Sequence, residues 1–331
     1  MIVRLVPKGR FLGGLPPSDT LFGAICWGIR WTHGERALLD SLHVCDQGEP
    51  PFLLSSTFAY AEVDGRRTYY LPRPLDWPTL PASDTLETHV GAKRVRRVAY
   101  LSSRLHAEVL TGRLSGAEAL AGLGTRLVLR RGFLSFAEEP VPHLIPEDVD
   151  RNAINRLSGA VEEGALFFGR ETGIAGGGAY FLLRLREPSA RPLVEAALRF
   201  LEDRGIGGDA SVGRGQAHIE WEETDLLPEE KGAPYLMTLS LFHPSPADRA
   251  HLAAHASEAA YRLVKRKGRV ESLYAPTPQP WKQTLIMLAE GSVFPRDGDR
   301  SVYGCAPVVK DVPFRVRHNG FAYTVGVSHA H

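Results

Sequence analysis

Apolar positions recur at strand or helix spacing in a few well-marked stretches of the chain. The opening "IVRLVP" reads as a short strand closed by Pro7 and a glycine-containing loop. In "LPPSDTLFGAICWGIRW", Leu21, Ile25 and Ile29 fall at i, i+4 and i+8, the stripe of a helix that turns one face to a core. Ser18 or Asp19, just behind Pro16 and Pro17, is placed to cap its first turn. The later "LPRPLDWPTLPASD" holds too many prolines for regular structure. Residues 88–104, "THVGAKRVRRVAYLSSR", combine a strand-like run with Lys93, Arg94, Arg96, Arg97 and Arg104, and "LSGAEALAGL" predicts a short helix.

From about residue 149 the pattern becomes that of a long hairpin, with a first arm to Phe168, a polar glycine-rich tip and a return strand over 180–186. "SARPLVEAALRFLEDRG" is a helix with Val194, Leu198 and Leu201 on one face and Gly205 as its stop. In "QAHIEWE", Ala217, Ile219 and Trp221 alternate with polar residues, His218 among them, as in a strand half facing solvent. With residues from about 40 to 145 set aside as an insert, the order is strand, helix, two strands, helix, strand. That is the split βαβ, ferredoxin-like plan. A second unit begins with "GAPYLMTLSLFHPSPADRAHLAAHA" and runs through "AYRLVKRKGRV", with a hairpin turn expected at Gly268, then "WKQTLIMLAEGSVF" and "FAYTVGV". The expected fold is therefore α+β: two tandem ferredoxin-like (βαββαβ) domains with a long hairpin and a glycine-rich loop. Their expected bounds are 1–230, including the insert and a hairpin over about 149–186, and 231–331.

Composition narrows the chemistry. A chain of 331 residues, 44% hydrophobic, is long enough for two compact domains, and no run nears the roughly 20 apolar residues of a membrane span. "MIVRLVPKGR" does not read as a signal peptide, so a cytoplasmic location is expected. The formal net charge is +1, so contact with a polyanion must rest on local basic patches. Cys26, Cys45 and Cys305 lie far apart without a CxxC pair; neither a zinc site nor a disulfide framework is expected, nor any other metal or cofactor. Cys26 reads as a small buried apolar residue.

The densest glycine stretch, "GIGGDASVGRGQ" over residues 205–216, nominally satisfies GxGxxA. A dinucleotide loop follows a strand and opens a helix; here the loop follows a helix and opens a strand, which presents the negative end of the helix dipole. No GK[ST] follows. Asp209 stands without a second carboxylate beside it, which sets two-metal phosphoryl chemistry aside. Two readings remain open: a tight turn, or backbone amides and Arg214 laid along a phosphodiester chain.

Several stretches in order resemble one family: "PPSDTLFGAICWGIR", "PPFLLSSTFAY" with "YYLPRPL", "NAINRLSGAVEEGALFF", "GIGGDASVGRGQAHIEW", and "YRLVKRKGRVES" with "MLAEGSVF". They look like the RAMP superfamily of CRISPR proteins, specifically the guide-tag-capping subunits of type III-A effector complexes. The resemblance implies a non-catalytic protein that clamps the 5′ repeat-derived tag of the guide RNA and docks a large cyclase-like subunit and a backbone subunit. It implies loop contacts from Gly207, Gly208, Ser211, Gly213 and Arg214. It further implies a thumb arm with Asn152, Ile154, Asn155 and Arg156, and a helix start at Ser18 and Thr20 beside the same RNA face. Arg94, Arg96 and Arg97 line the guide or a solvated face, and Lys265, Arg266, Lys267 and Arg269 form a late basic cluster open to RNA or to a neighbouring subunit. Phe167 and Phe168 can wedge between bases, although core packing is the commoner fate of phenylalanine. The alternative is a metal-independent repeat-RNA endonuclease of the same superfamily, with His33 as general acid–base. An adaptor without an RNA role is the third possibility.

Overall fold

The computed structural model describes residues 1–78, 86–155, 157–224, 226–227, 232–270, 279–311 and 315–328. Its centre is an antiparallel sheet. The labelled elements of the N-terminal part are β1 (Ile2–Pro7), α1 (Ser18–Asp46), β2 (Phe58–Val63), β3 (Arg66–Pro72), β4 (Gly177–Leu185), α2 (Ala190–Arg204) and β5 (Ala217–Glu222). They stand in the order β5-β1-β4-β2-β3, and the sheet continues through Tyr100–Ser102, Phe133–Phe136 and Leu127–Arg130. In β1 the register is Val3 opposite Phe181 on one side and Trp221 on the other. Helices α1 and α2 pack together so closely that a Cβ on Gly28 would stand 2.7 Å from that of Ala197.

Four expectations change here. The insert is part of the sheet: β2 and β3 lie inside it, and β2 pairs directly with β4. The insert also closes a satellite core around Trp77, Val98, Leu105, Leu114 and Leu134. Residues 88–97 are not strand-like: Leu86–Val95 is a helix, and Lys93 and Arg94 at its end and Arg96 and Arg97 in the turn after it are exposed before the strand Tyr100–Ser102 begins. The long hairpin spans His143–Ile154 and Val161–Ala175, with its turn at 155–160 rather than beyond Phe168. The segment expected as its return strand is β4, in the central sheet. A run of small and apolar residues on both arms hid the turn, which Asn155 builds by accepting the Leu157 and Ser158 amides at 2.9 and 3.2 Å.

Helix α1 is longer than its apolar stripe. It reaches Asp46 with a break at Gly34 (φ 89°, ψ 170°), a conformation open to glycine. Neither Ser18 nor Asp19 caps it: Pro17 holds the cap position and no side chain completes it.

The C-terminal part has a three-stranded sheet, β7-β6-β8, from β6 (Tyr235–Thr238), β7 (Val293–Pro295) and β8 (Thr324–Val327). Helix α3 (Pro246–Ala254) starts on a reciprocal Ser245–Asp248 capping box. A separate ladder joins Leu263–Arg266 to Leu285–Leu288. The ladder runs on past Gly268, which accepts the Lys282 amide at 3.0 Å, so Gly268 is not its turn. The boundary expected at 230 and 231 falls on residues outside the described ones. The largest core cluster takes residues from both parts, Leu198 and Phe181 as well as Met237, Leu239 and Phe321.

Candidate RNA-binding face

Three segments meet at one end of the central sheet: the exit of β1, the base of the long hairpin and the glycine loop. Residues Phe11–Leu12 add a short strand to the hairpin, with Leu12 opposite Glu171. The glycine loop is laced to the same segment, since the Gly215 amide donates to the Arg10 carbonyl and the Lys8 amide to the Gln216 carbonyl, both at 2.9 Å. Its glycines have backbone reasons. Gly205, Gly207, Gly213 and Gly215 have positive φ; Gly208 lies so near Leu12 that a Cβ would fall 2.7 Å from that side chain. A tight turn therefore accounts for all five. The turn also leaves something over: the exposed Gly207 and Gly208 amides have no acceptor among the described residues.

Charge is concentrated at the junction. Glu171 is 1% exposed and accepts hydrogen bonds from Arg151 and Arg214, each at 2.6 Å. Arg151 also pairs with Asp209 of the glycine loop, and Arg10 pairs with Glu147 on the hairpin. Burial alone would raise the Glu171 carboxyl, but the two guanidinium partners outweigh it and hold it below the usual carboxylate range. Arg214 is thus first a clamp between loop and hairpin and only in part a free cation. Arg151, Glu171 and Arg10 were missed in the sequence, where nothing in their local pattern marks them; only the fold brings them together.

Beyond the junction the hairpin carries exposed apolar side chains. Ile154, Val161, Leu166, Phe167 and Phe168 are all more than half exposed, Phe168 reaching 71%. The expectation that the two phenylalanines are core residues is corrected here. Among the described residues only Phe11–Leu12 pairs with the ladder, near its base, and these apolar side chains farther out stand in solvent.

The remaining site residues scatter. Asn152 is exposed on the first arm, Asn155 holds the turn, and Arg156 lies outside the described residues, as does the Ser211 side chain. Ser18 is fully buried; its hydroxyl accepts the Leu241 amide at 3.0 Å, which removes it from any surface contact. Thr20 is half-buried behind Asp19. Arg94 and Arg97 are exposed, and so is Lys265. Arg266 is not open to a ligand in the same way, because it forks onto the buried Asp19 at 2.9 and 3.0 Å. Lys267 and Arg269 each stand 5.4 Å from the exposed Trp281 ring.

His33 is exposed just before the break in α1, with Thr32 at 2.9 Å as its polar neighbour. His218 is exposed beside Glu202 at 2.5 Å, on the solvent side of β5. Buried His106 is pushed down to about 4 by desolvation. Burial lifts the Cys45 thiol to about 12. Among the described residues no three His, Cys, Asp or Glu side chains gather as metal ligands, and no helix is long and apolar enough to cross a membrane.

Comparison with known proteins fits this architecture. Residues 231–327 match the family model described as the CRISPR Csm4 C-terminal domain. Over 301 residues, covering 89% of this chain and 86% of the relative, the chain is 28% identical to the CRISPR system Cms protein Csm4 of Thermococcus onnurineus (strain NA1). A chain of the Csm3–Csm4 subcomplex in the type III-A CRISPR-Cas interference complex superposes with a TM-score of 0.67 at 18% identity, covering 98% of both chains. A chain of the Csm1–Csm4 cassette in complex with pppApA gives 0.61 at 24% identity, covering 98% of this chain and 96% of that one. The mixed α+β scaffold is thus one found in CRISPR proteins. Residues 231–327 thus match the Csm4 C-terminal domain, and the chain over most of its length is similar to a Csm4 protein.

Proposed function

We propose that the chain is a non-catalytic subunit of a type III-A CRISPR effector complex that caps the 5′ repeat-derived tag of the guide RNA. In this reading it docks a large cyclase-like subunit and a backbone subunit, the counterparts of the Csm1 and Csm3 chains with which its structural relatives were solved. We further propose that the order β5-β1-β4-β2, with α1 and α2, is a ferredoxin-like unit and that the C-terminal sheet is a reduced second one, the division falling near residue 230.

The observation that carries the RNA reading is the pairing of a glycine turn, with free amides at Gly207 and Gly208, and a hairpin presenting exposed Phe167 and Phe168. Amides and arginines hold phosphates without reading sequence, and the aromatic rings supply stacking surface for single-stranded bases. The test is reconstitution with the two partner subunits and labelled guide RNA. Phe167→Ala with Phe168→Ala is expected to weaken retention of the guide's 5′ end by about tenfold or more, at about 1–3 kcal/mol per lost stack. Full retention by the double variant would remove the hairpin from the RNA site.

A further inference from the structure

A cleft of about 470 Å³ lies at the end of β4 away from the long hairpin, between that strand and β8 of the C-terminal sheet. Strand β8 pairs with β6 on one side and, among the described residues, with no strand on the other. The Leu239 amide donates to the Tyr323 carbonyl at 2.8 Å, which fixes the alternation along the ladder. Tyr323, Val325 and Val327 turn their backbone groups to β6, while Thr324 and Gly326 turn theirs to the outer edge. On that edge the Thr324 carbonyl accepts from Arg184 at 3.3 Å, and the Ser328 amide donates to the Leu110 carbonyl at 2.9 Å. Between these two contacts the amide and carbonyl of Gly326 have no partner among the described residues, and Thr324, Val325 and Gly326 form part of the cleft wall. An open strand edge is a template for one more extended segment.

The rest of the wall narrows what that segment carries. Leu183, Leu227 and Leu236 line the cleft as buried side chains, and Leu185 and Leu226 as half-buried ones. Arg184, Arg296 and Arg300 line it too, with no carboxylate among the described residues of the lining. Arg300 is neutralised by Asp248 and Asp297. Arg184 stands 4.5 Å from the Tyr323 ring centroid and Arg296 donates from Nε to the Ala233 carbonyl, but neither has an acidic partner among the described residues. An internal strand would satisfy Gly326 and leave both cations over. A chain end satisfies all three, since it brings backbone groups and a carboxylate together. The volume is that of a small-ligand site, room for about two or three extended residues.

We propose that this cleft captures the C-terminal end of another protein chain. The last residue exchanges hydrogen bonds with Gly326, its apolar side chain sits among the leucines, and its terminal carboxylate pairs with Arg184 and Arg296. The site stands on its own observations and does not depend on the RNA reading of the hairpin.

Fluorescence anisotropy of the full chain with labelled hexapeptides ending in leucine, valine or phenylalanine tests this. At least one peptide with a free carboxylate is expected to bind, and its C-terminal amide to bind about tenfold or more weakly, the loss of a charge-assisted contact. N-methylation of the last residue, which removes the hydrogen bond to the Gly326 carbonyl, is expected to weaken binding about fivefold. Both changes are made in the peptide, so neither can act by unfolding the protein. Arg296→Gln is expected to weaken the carboxylate form about tenfold while leaving the amide form as it was; a folding defect would weaken both. Absence of binding by all three peptides, or equal binding of acid and amide, overturns the proposal. So does displacement by 4-methylpentanoate at the peptide's own affinity, which would assign the cleft to a small carboxylic acid, or displacement by an octaribonucleotide, which would assign it to RNA.

Discussion

Single residues at the glycine loop divide by what a methyl group would meet. At Gly215, with φ +68°, a Cβ would stand 1.9 Å from the Ile206 carbonyl oxygen, whereas at Gly213, with φ +85°, nothing lies within 4 Å. Gly215→Ala is therefore expected to cost several kcal/mol, combining backbone strain with overlap, and Gly213→Ala about 1 kcal/mol from the backbone alone. Urea unfolding of the two variants checks the difference, and equal losses contradict it. Arg214 offers a sharper contrast. Arg214→Glu places a second carboxylate against buried Glu171 and is expected to lower stability by about 2–3 kcal/mol, whereas Arg214→Ala leaves Glu171 its Arg151 partner and costs about 1 kcal/mol. Loss of guide binding in Arg214→Glu is accordingly to be read only beside its thermal midpoint. The glycines of this loop were legible as a turn and as a phosphate-facing loop, but the ionic clamp was not, since Arg151, Glu171 and Arg214 are brought together only by long-range pairing.

At the scale of elements, periodicity located β1, α2 and β5 well, because each has one buried face. It failed where both faces share one character. The outer length of the long hairpin pairs with no further strand among the described residues and its apolar side chains are exposed there, so they lack the alternation that marks a half-buried strand and its turn could not be placed. The basic stretch near Arg94 misled for a different reason: Val95 and Val98 point into the insert's own core, and their spacing is compatible with more than one element. The exposed apolar arm makes a stability claim of its own. Phe168→Ala removes little that is buried and is expected to change unfolding free energy by no more than about 0.5 kcal/mol, while the guide assay responds. Calorimetry of the free chain gives the first number, and a large loss there would mean that the hairpin folds back onto the body.

At the scale of the molecule, one buried ion cluster ties the two parts together. Asp19 at the start of α1 is 5% exposed in its side chain and meets Arg266 and His318 from the C-terminal part. Burial pushes the Asp19 carboxyl up, yet the His318 and Arg266 contacts outweigh it, and the net displacement is downward from 3.8. A carboxyl lower in the folded than in the unfolded state adds stability above the unfolded value, and that stability is lost as the pH falls through the folded one. The thermal midpoint is therefore expected to drop as the pH is taken below about 4, and to drop less steeply in Asp19→Asn. Arg266→Ala is expected to cost on the order of 2 kcal/mol at neutral pH, below the ~3–5 kcal/mol of a fully buried pair because the arginine is a third exposed. A midpoint in Asp19→Asn that tracks the wild type across this range would show that the cluster does not couple the two parts.

The position of β1 has a consequence for how the chain comes to be made. Strand β1 leaves the ribosome well before its partners, since both of its neighbours, β4 and β5, are encoded some 175 to 220 residues later. At about 5–20 residues per second, this segment waits on the order of 10–40 s with its ladder groups unpaired. Its apolar run and the stripe of α1 are then exposed hydrophobic surface without a sheet to join. The centre of the protein thus closes only after about two thirds of the chain has been made, which makes the nascent chain a natural client for chaperones during synthesis.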